Sequence, residues 1–346
     1  MTDRWAGLAA RLGVAHPVML APLAGGPSTP ALAAAVSNAG GLGALGAAYL
    51  TPAQLRDAVA ETRRLTDRPF AVNLFAGGAT EGADDAGPML ALLREWHARL
   101  RIDPPAMPSP PVDPFGAQLE VVLETGVPVF SFTFGIPAPE AIAELRRRGI
   151  PLLGTATTVE EAKALEAAEI DVVVAQGSEA GGHRGTFLGP FEDAMVGTMA
   201  LVPQVADAVR LPVVAAGGVM DGRGIAAARA LGAAGAMLGT AYLATDEAGT
   251  SPPYRARLLA AREDETEITR AFSGRPARGL RNRFMREVEE RAVPIPPFPL
   301  QNALTRPLRQ ASAARGDADA LSLWAGQGVR LLRTCSAFDL TRALLR

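Results

Sequence analysis

The sequence predicts an α/β fold, a (β/α)8 TIM barrel with a C-terminal covering segment or small helical subdomain, and three observations carry that prediction. Over the first 250 of the 346 residues, short apolar runs alternate with Ala-rich stretches of helical pattern. Buried parallel strands joined by covering helices produce that order. Eight such units follow one another with Gly-rich stretches at the strand ends, which favours closure into a barrel over an open doubly wound sheet. Beyond about residue 264 the repetition stops and a Pro-rich, irregular pattern begins.

Each unit is read in turn from a short apolar run and the helical pattern behind it. VMLA at 18–21 is the first strand, followed by a helix at 29–38; GLGAL at 41–45 leads to a helix at 51–65. FAVNL at 70–74 is followed by two helical stretches, 88–100 or 115–125, either of which serves as the third barrel helix. Between them, residues 101–113 carry paired prolines that disfavour a long helix or central strand, so this stretch is an irregular insertion. VFSFT at 129–133 precedes a helix at 139–148, LLG at 152–154 one at 159–169, and VVVA at 172–175 one at 199–209. VVAA at 213–216 precedes 222–231, and AML at 236–238 precedes the expected eighth helix at 253–263. The expected organisation is a barrel over 1–263 and an extension or lid over 264–346 packed on it.

Composition narrows the function classes. Apolar residues make up 48% and charged residues 20%, so a compact enzyme fits and disorder does not. Thirty-four basic against 36 acidic side chains leave a net charge of −2, with no basic domain or tail to attract nucleic acid. The single Cys335 excludes an intrachain disulfide framework and is expected to be an inert small side chain. The N-terminal stretch lacks a continuous apolar segment with a basic leader, and apolar runs elsewhere break before membrane-spanning length. The expectation is a cytoplasmic protein with no membrane partner, for which a homo-oligomer is compatible.

The most informative segment is DVVVAQGSEAGGHRGTF at 171–187, where an apolar strand delivers Gln176, Gly181, Gly182 and His183 into a glycine-rich loop. Gln176 offers both a donor and an acceptor to the edge of a flavin, and the glycines allow close backbone approach. Two further loops lie where barrel enzymes bind phosphate: Gly217 and Gly218 after the seventh strand, and Met237, Leu238, Gly239 and Thr240 at the eighth. Their N–H groups are candidates to surround a flavin monophosphate without a lysine. Taken singly, such glycines equally well make tight turns. Pro22, Leu23 and Ala24 are placed to form a wall for the isoalloxazine, and Asn73 to offer its amide to the ring or to a structural hydrogen bond. A Rossmann site is disfavoured, because GGLGALG falls at the second strand rather than after the first.

APLAGG, NLF, QGSEAGGHRG, AAGGV and MLGT together resemble the dispersed FMN-binding pattern of the nitronate monooxygenases, formerly called 2-nitropropane dioxygenases. The resemblance covers most of the chain. It maps FMN edge or phosphate contacts onto Asn73, Gln176, Gly181, Gly218 and residues 237–240. It implies noncovalent FMN and oxidation of nitronates, with nitroalkanes as a second class, by molecular oxygen to a carbonyl compound and nitrite.

On that reading His183 is the leading protic group. Its neutral imidazole can take the α-proton of a nitroalkane, its protonated form can stabilise a nitronate, and an orienting contact is the plainer role. His16, His97 and His183 show no metal-ligand spacing, so no metal is expected. Ser273 and Arg275 in FSGRP, and Phe298 in PFPLQN, are the substrate-side candidates. Resembling enzymes with several tyrosines and a lysine there differ from this chain, which has Tyr49, Tyr242, Tyr254 and only Lys163. The alternatives are an NAD(P)H-dependent enoyl-thioester reductase on the same barrel and a non-enzymatic flavin-binding regulatory protein.

Overall fold

The computed structural model describes residues 3–78, 82, 84–109 and 113–345. The strands in chain order are β1 Val18–Leu20, β2 Gly43–Gly46, β3 Phe70–Phe75, β4 Val129–Thr133, β5 Leu152–Ala156 and β6 Val172–Gln176. They continue with β7 Gly182–His183, β8 Val213–Ala216, β9 Gly235–Leu238, β10 Thr266–Thr269 and β11 Ala277–Leu280. Eight of them form one parallel sheet in the order β1-β9-β8-β6-β5-β4-β3-β2. Leu20 N–H donates to Leu42 O (2.9 Å) and Leu42 N–H to Val18 O (3.0 Å), which joins the two ends of the sheet and closes the barrel. These strands are almost wholly buried, as runs such as Val172–Gln176 must be when helices cover one face and barrel-interior side chains fill the other.

Local chemistry starts the helices where the pattern places them. Thr29, Thr51, Thr158 and Asp221 are N-caps whose side chains accept backbone N–H bonds, and Thr51 forms a reciprocal capping box with Gln54. Both helical stretches after β3 form, at Gly87–Arg99 and Phe115–Thr125. Phe115–Thr125 packs on β3 and on the helix Pro52–Leu65, so it fills the third barrel position. Gly87–Arg99 instead joins the covering region, where Met89, Leu93 and Trp96 share a core with Phe272, Phe284 and Leu308. Pro110, Pro111 and Val112 of the Pro-rich insertion lie outside the described residues.

The expected eighth barrel helix at 253–263 is corrected. A helix forms at Pro252–Leu259, but its Tyr254 and Leu258 pack with Leu321, Leu323 and Val329 of the covering region. The C-terminal helix Ala337–Leu344 lies against the helices Pro30–Asn38 and Gly222–Ala230 and thereby takes the eighth position. Its Ala337, Leu340 and Leu344 join the core that holds Leu32, Val36 and Leu238, and Tyr242 Oη lies 2.9 Å from Thr341 Oγ1. A separate small sheet, β10-β11-β7, ties residues 266–280 to the glycine-rich loop through the register Ala277↔His183. No helix among the described residues is long and apolar enough to cross a membrane.

Candidate active site

A cavity of about 680 Å³ opens at the C-terminal ends of the barrel strands. Pro22, Leu23, Ala24, Asn73, Gln176, Gly181, Gly182, His183, Gly217, Gly218, Met237, Gly239, Thr240 and Ser273 all line it, drawn together from segments up to 250 residues apart. Leu238 does not line it: its side chain is buried in the barrel core and its carbonyl accepts from Ala21 N–H (2.8 Å). Arg275 and Phe298 stand behind the lining as well, the guanidinium carbon 4.0 Å from the Phe134 ring centre and 4.9 Å from that of Phe298.

The glycine-rich loop is held by groups within and beyond it. Gln176 Nε2 donates to His183 O (3.0 Å) and Oε1 accepts from Gly185 N–H (2.8 Å), so the amide that lines the cavity also holds the loop, with a second N–H on Nε2 beyond these bonds. Arg278 Nε donates to Ser178 O (2.9 Å), and the carboxylate of Glu179 accepts from Thr198 N–H and Oγ1–H. Glu179 is therefore engaged with Thr198, whereas the hydrogen-bond partner of the His183 ring is Ser273. A Cβ on Gly181 would lie 2.5 Å from the backbone of Ala325 and Gly326, so only glycine lets the covering region cross the loop here.

On the other side of the cavity, the N–H groups of Gly217, Gly218, Gly239 and Thr240 donate to no acceptor among the described residues. Gly217 and Gly218 have φ of 109° and 71°, a conformation that L side chains rarely adopt. Such a group of free donors at the ends of β8 and β9 fits an anionic phosphate. At the opposite end Ala24 N–H also lacks an acceptor, and Asn73 Nδ2 donates to Ser131 Oγ across the β3–β4 register (3.0 Å), leaving Oδ1 without a protein donor among the described residues. A flat ring with a polar edge and a phosphate tail fits these two ends together.

His183 is seated among aromatic rings, with ring centres of Phe75, Phe134 and Trp324 at 6.0, 5.8 and 5.6 Å. Its Nε2 lies 2.9 Å from Ser273 Oγ, which donates to Arg275 O (3.1 Å) and accepts Arg275 N–H (3.2 Å). The Ser273 hydroxyl has one proton for two acceptors, and with that proton on Arg275 O the bond to the imidazole runs from Nε2–H to Oγ and the lone pair falls on Nδ1. Burial, followed by the nearby positive charges of Arg275 and Arg309, lowers the imidazole from 6.5 to about 3, so it is neutral at physiological pH. Tyr49 feels the same two cations, but burial dominates and pushes its hydroxyl up to about 12.

Several lining residues were not singled out from sequence: Asn302, Arg306, Arg309 and Trp324. Arg306 and Arg309 are three residues apart on the helix Leu300–Ala314, a spacing that shares a face, but nothing local says which way that face turns. Among the described residues no three His, Cys, Asp or Glu side chains are grouped to hold a metal ion.

Residues 8–346 match the family described as nitronate monooxygenase. A protein of Staphylococcus saprophyticus named probable nitronate monooxygenase is 43% identical over 338 residues, covering 97% of this chain and 95% of the relative. Among solved structures, the nitroalkane oxidase of Streptomyces ansochromogenes superposes with a TM-score of 0.90 at 45% identity, covering 97% of this chain and 96% of that one. FabK of Thermotoga maritima follows the same fold with a TM-score of 0.76 at 31% identity, covering 98% and 94%.

Proposed function

The chain belongs to the nitronate monooxygenase family and is an oxidoreductase of nitro compounds, and from that premise we propose that it binds FMN noncovalently in this cavity and oxidises nitronates with molecular oxygen to carbonyl compounds and nitrite. Nitroalkanes enter the same reaction once deprotonated. The observation that carries the reading is one cavity that holds both four backbone N–H donors without an acceptor among the described residues and a neutral histidine that feels the charge of two arginines.

The proposed holding groups are the amides of Gly217, Gly218, Gly239 and Thr240 for the phosphate, with Pro22, Leu23, Ala24 and Asn73 along the ring. Bound FMN would supply the electron-transfer chemistry between nitronate and oxygen. The chain's own residues handle charge and protons. His183 Nδ1 carries a lone pair for the α-proton, while Ser273 fixes the ring through Nε2. Alone, an imidazole lowered to about 3 is a weak base; as the substrate loses its proton, its growing negative charge offsets Arg275 and Arg309, and proton acceptance by His183 becomes easier. The aromatic rings around His183 keep water from competing for that proton. On this reading the barrel strands and their loops, with Ala337–Leu344 as the eighth helix, supply the flavin site, and the covering region between the last barrel strand and that helix supplies Ser273, Arg275 and Arg309.

The test is product analysis. FMN-loaded protein supplied with a preformed nitronate in air should yield nitrite and the matching carbonyl compound above controls. Yield of neither, or reduction of an enoyl thioester by NAD(P)H in their place, would overturn the assignment.

A further inference from the structure

Arg309 is a cation with no counter-ion among the described residues. It lines the cavity from the helix Leu300–Ala314, and its Nη2 donates to Asn302 O (2.9 Å) and Asn302 Oδ1 (2.8 Å), so the guanidinium is held in place by its own helix. Its Nε is buried and has no partner, and no carboxylate pairs with it among the described residues. Among the described residues Arg275 is in the same condition: its Nη2 donates to the carbonyl of Gly78 (2.5 Å) and, more weakly, to that of Gly77, and its buried Nε has no partner there.

Burying a charged group that nothing neutralises is costly, and a fold keeps two of them together where a missing anion is to be received. The phosphate cradle is not the place those charges serve. Both act on His183 and Tyr49, at the proton-handling end of the cavity, while the lining carboxylate, Glu179, is spent on Thr198.

We propose that Arg309, supported by the charge of Arg275, docks the oxyanion of the substrate and sets the specificity of the site for nitro compounds that arrive already ionised, as nitronates, over neutral nitroalkanes. This rests on the reading of the cavity as a nitronate site. A nitronate head is planar, singly negative and carries two oxygens, which matches a planar guanidinium whose Nη1 is not used by Asn302. Arg275, set between two aromatic rings, supplies charge without contact, and Tyr49 adds a protonated hydroxyl on the same side.

The probe is sodium nitrate, a planar oxyanion that cannot turn over, titrated into FMN-loaded protein while the His183 ring is followed by NMR. With three histidines in the chain, a His183→Gln spectrum assigns the signal. Nitrate should move the His183 resonance saturably. Arg309→Gln should weaken that binding by about 10- to 100-fold, the worth of one hydrogen bond to a charged group, and Arg309→Lys by less. In turnover, kcat/KM for a nitronate should fall at least ~5-fold more than for its neutral nitroalkane in Arg309→Gln. Wild-type nitrate affinity in Arg309→Gln, or equal loss for the two substrate forms, would overturn the proposal. If Arg309→Gln does not fold, Arg309→Lys decides by the same two readouts, since affinity and selectivity both unchanged would refute a geometric role for the guanidinium. Nitrate binding that depends on Arg309 without nitronate turnover would instead refute the assigned reaction and leave the anion site standing.

Discussion

Gly217→Ala should separate binding of the phosphate from binding of the ring. At φ 109° the new Cβ would lie 2.9 Å from Thr198 Oγ1, 3.1 Å from Gly177 O and 3.2 Å from Ala180 N. Thr198 cannot swing aside freely, because Oγ1 donates toward Glu179 Oε2 (2.8 Å) and Gly217 O (2.9 Å). Keeping this backbone with a side chain costs ~1–3 kcal/mol, so the loop is expected to relax and carry the N–H groups of residues 217 and 218 off target. Loss of two of four hydrogen bonds to a charged phosphate, at ~1.5 kcal/mol each, amounts to ~3 kcal/mol or roughly 100-fold in affinity. The assay compares dissociation constants of FMN and riboflavin for the wild type and the variant. The preference for FMN over riboflavin should collapse, with riboflavin affinity little changed. Gly222→Ala is the control, since its Cβ would meet nothing within 4 Å. An unchanged FMN-to-riboflavin ratio in Gly217→Ala would refute the assignment of the cradle.

Three further outcomes follow from the same geometry. Ser273→Ala removes the acceptor of His183 Nε2–H, and turnover of a neutral nitroalkane should drop about 10-fold at matched FMN occupancy, the scale of one hydrogen bond; an unchanged rate would show that Ser273 does not position the ring. His183 is lowered from 6.5 to about 3 on folding, so the unfolded chain binds the extra proton between those values; this contribution to stability is complete above 6.5 and is lost as pH falls toward 3. Denaturant melts of His183→Gln should therefore show a shallower loss of stability from pH 7 to pH 4.5 than the wild type, and parallel slopes would contradict it. Tyr242→Phe removes the hydroxyl bond to Thr341 that ties the last helix to the barrel, and should cost about 1 kcal/mol in chemical denaturation, with faster hydrogen exchange confined to residues 337–344.

The barrel was legible because each of its strands is buried on both faces, which leaves unbroken apolar runs such as 172–175 in the sequence. The eighth helix was not, because the pattern at 253–263 reports a helix without its partner. The segment that fills the position begins more than seventy residues later, at Ala337. In the site, the glycines and His183 were legible since their spacing within one loop is itself the signal. Gln176 was half legible: its position at the strand end is as expected, but its amide turns back on His183 O, a contact fixed by the three-dimensional path of the loop. Arg309 and Trp324 come from helix and loop segments whose facing is set by packing of the covering region, and Arg275, expected at the substrate, is displaced behind it by stacking on Phe134 and Phe298.

The central claim, that His183 takes the α-proton of a nitroalkane and so delivers the nitronate that is oxidised in this cavity with FMN, is tested most directly by anaerobic mixing. One compound is supplied to wild-type and His183→Ala proteins of matched FMN content, in its nitroalkane and its nitronate form, and the flavin absorbance is followed. With the base removed, the rate from the nitroalkane should fall by ~100- to 10,000-fold, while the rate from the nitronate, which has already lost the proton, should change far less. Equal loss for both forms would show that His183 positions the substrate or stabilises its anion, and no change in either would remove it from the mechanism.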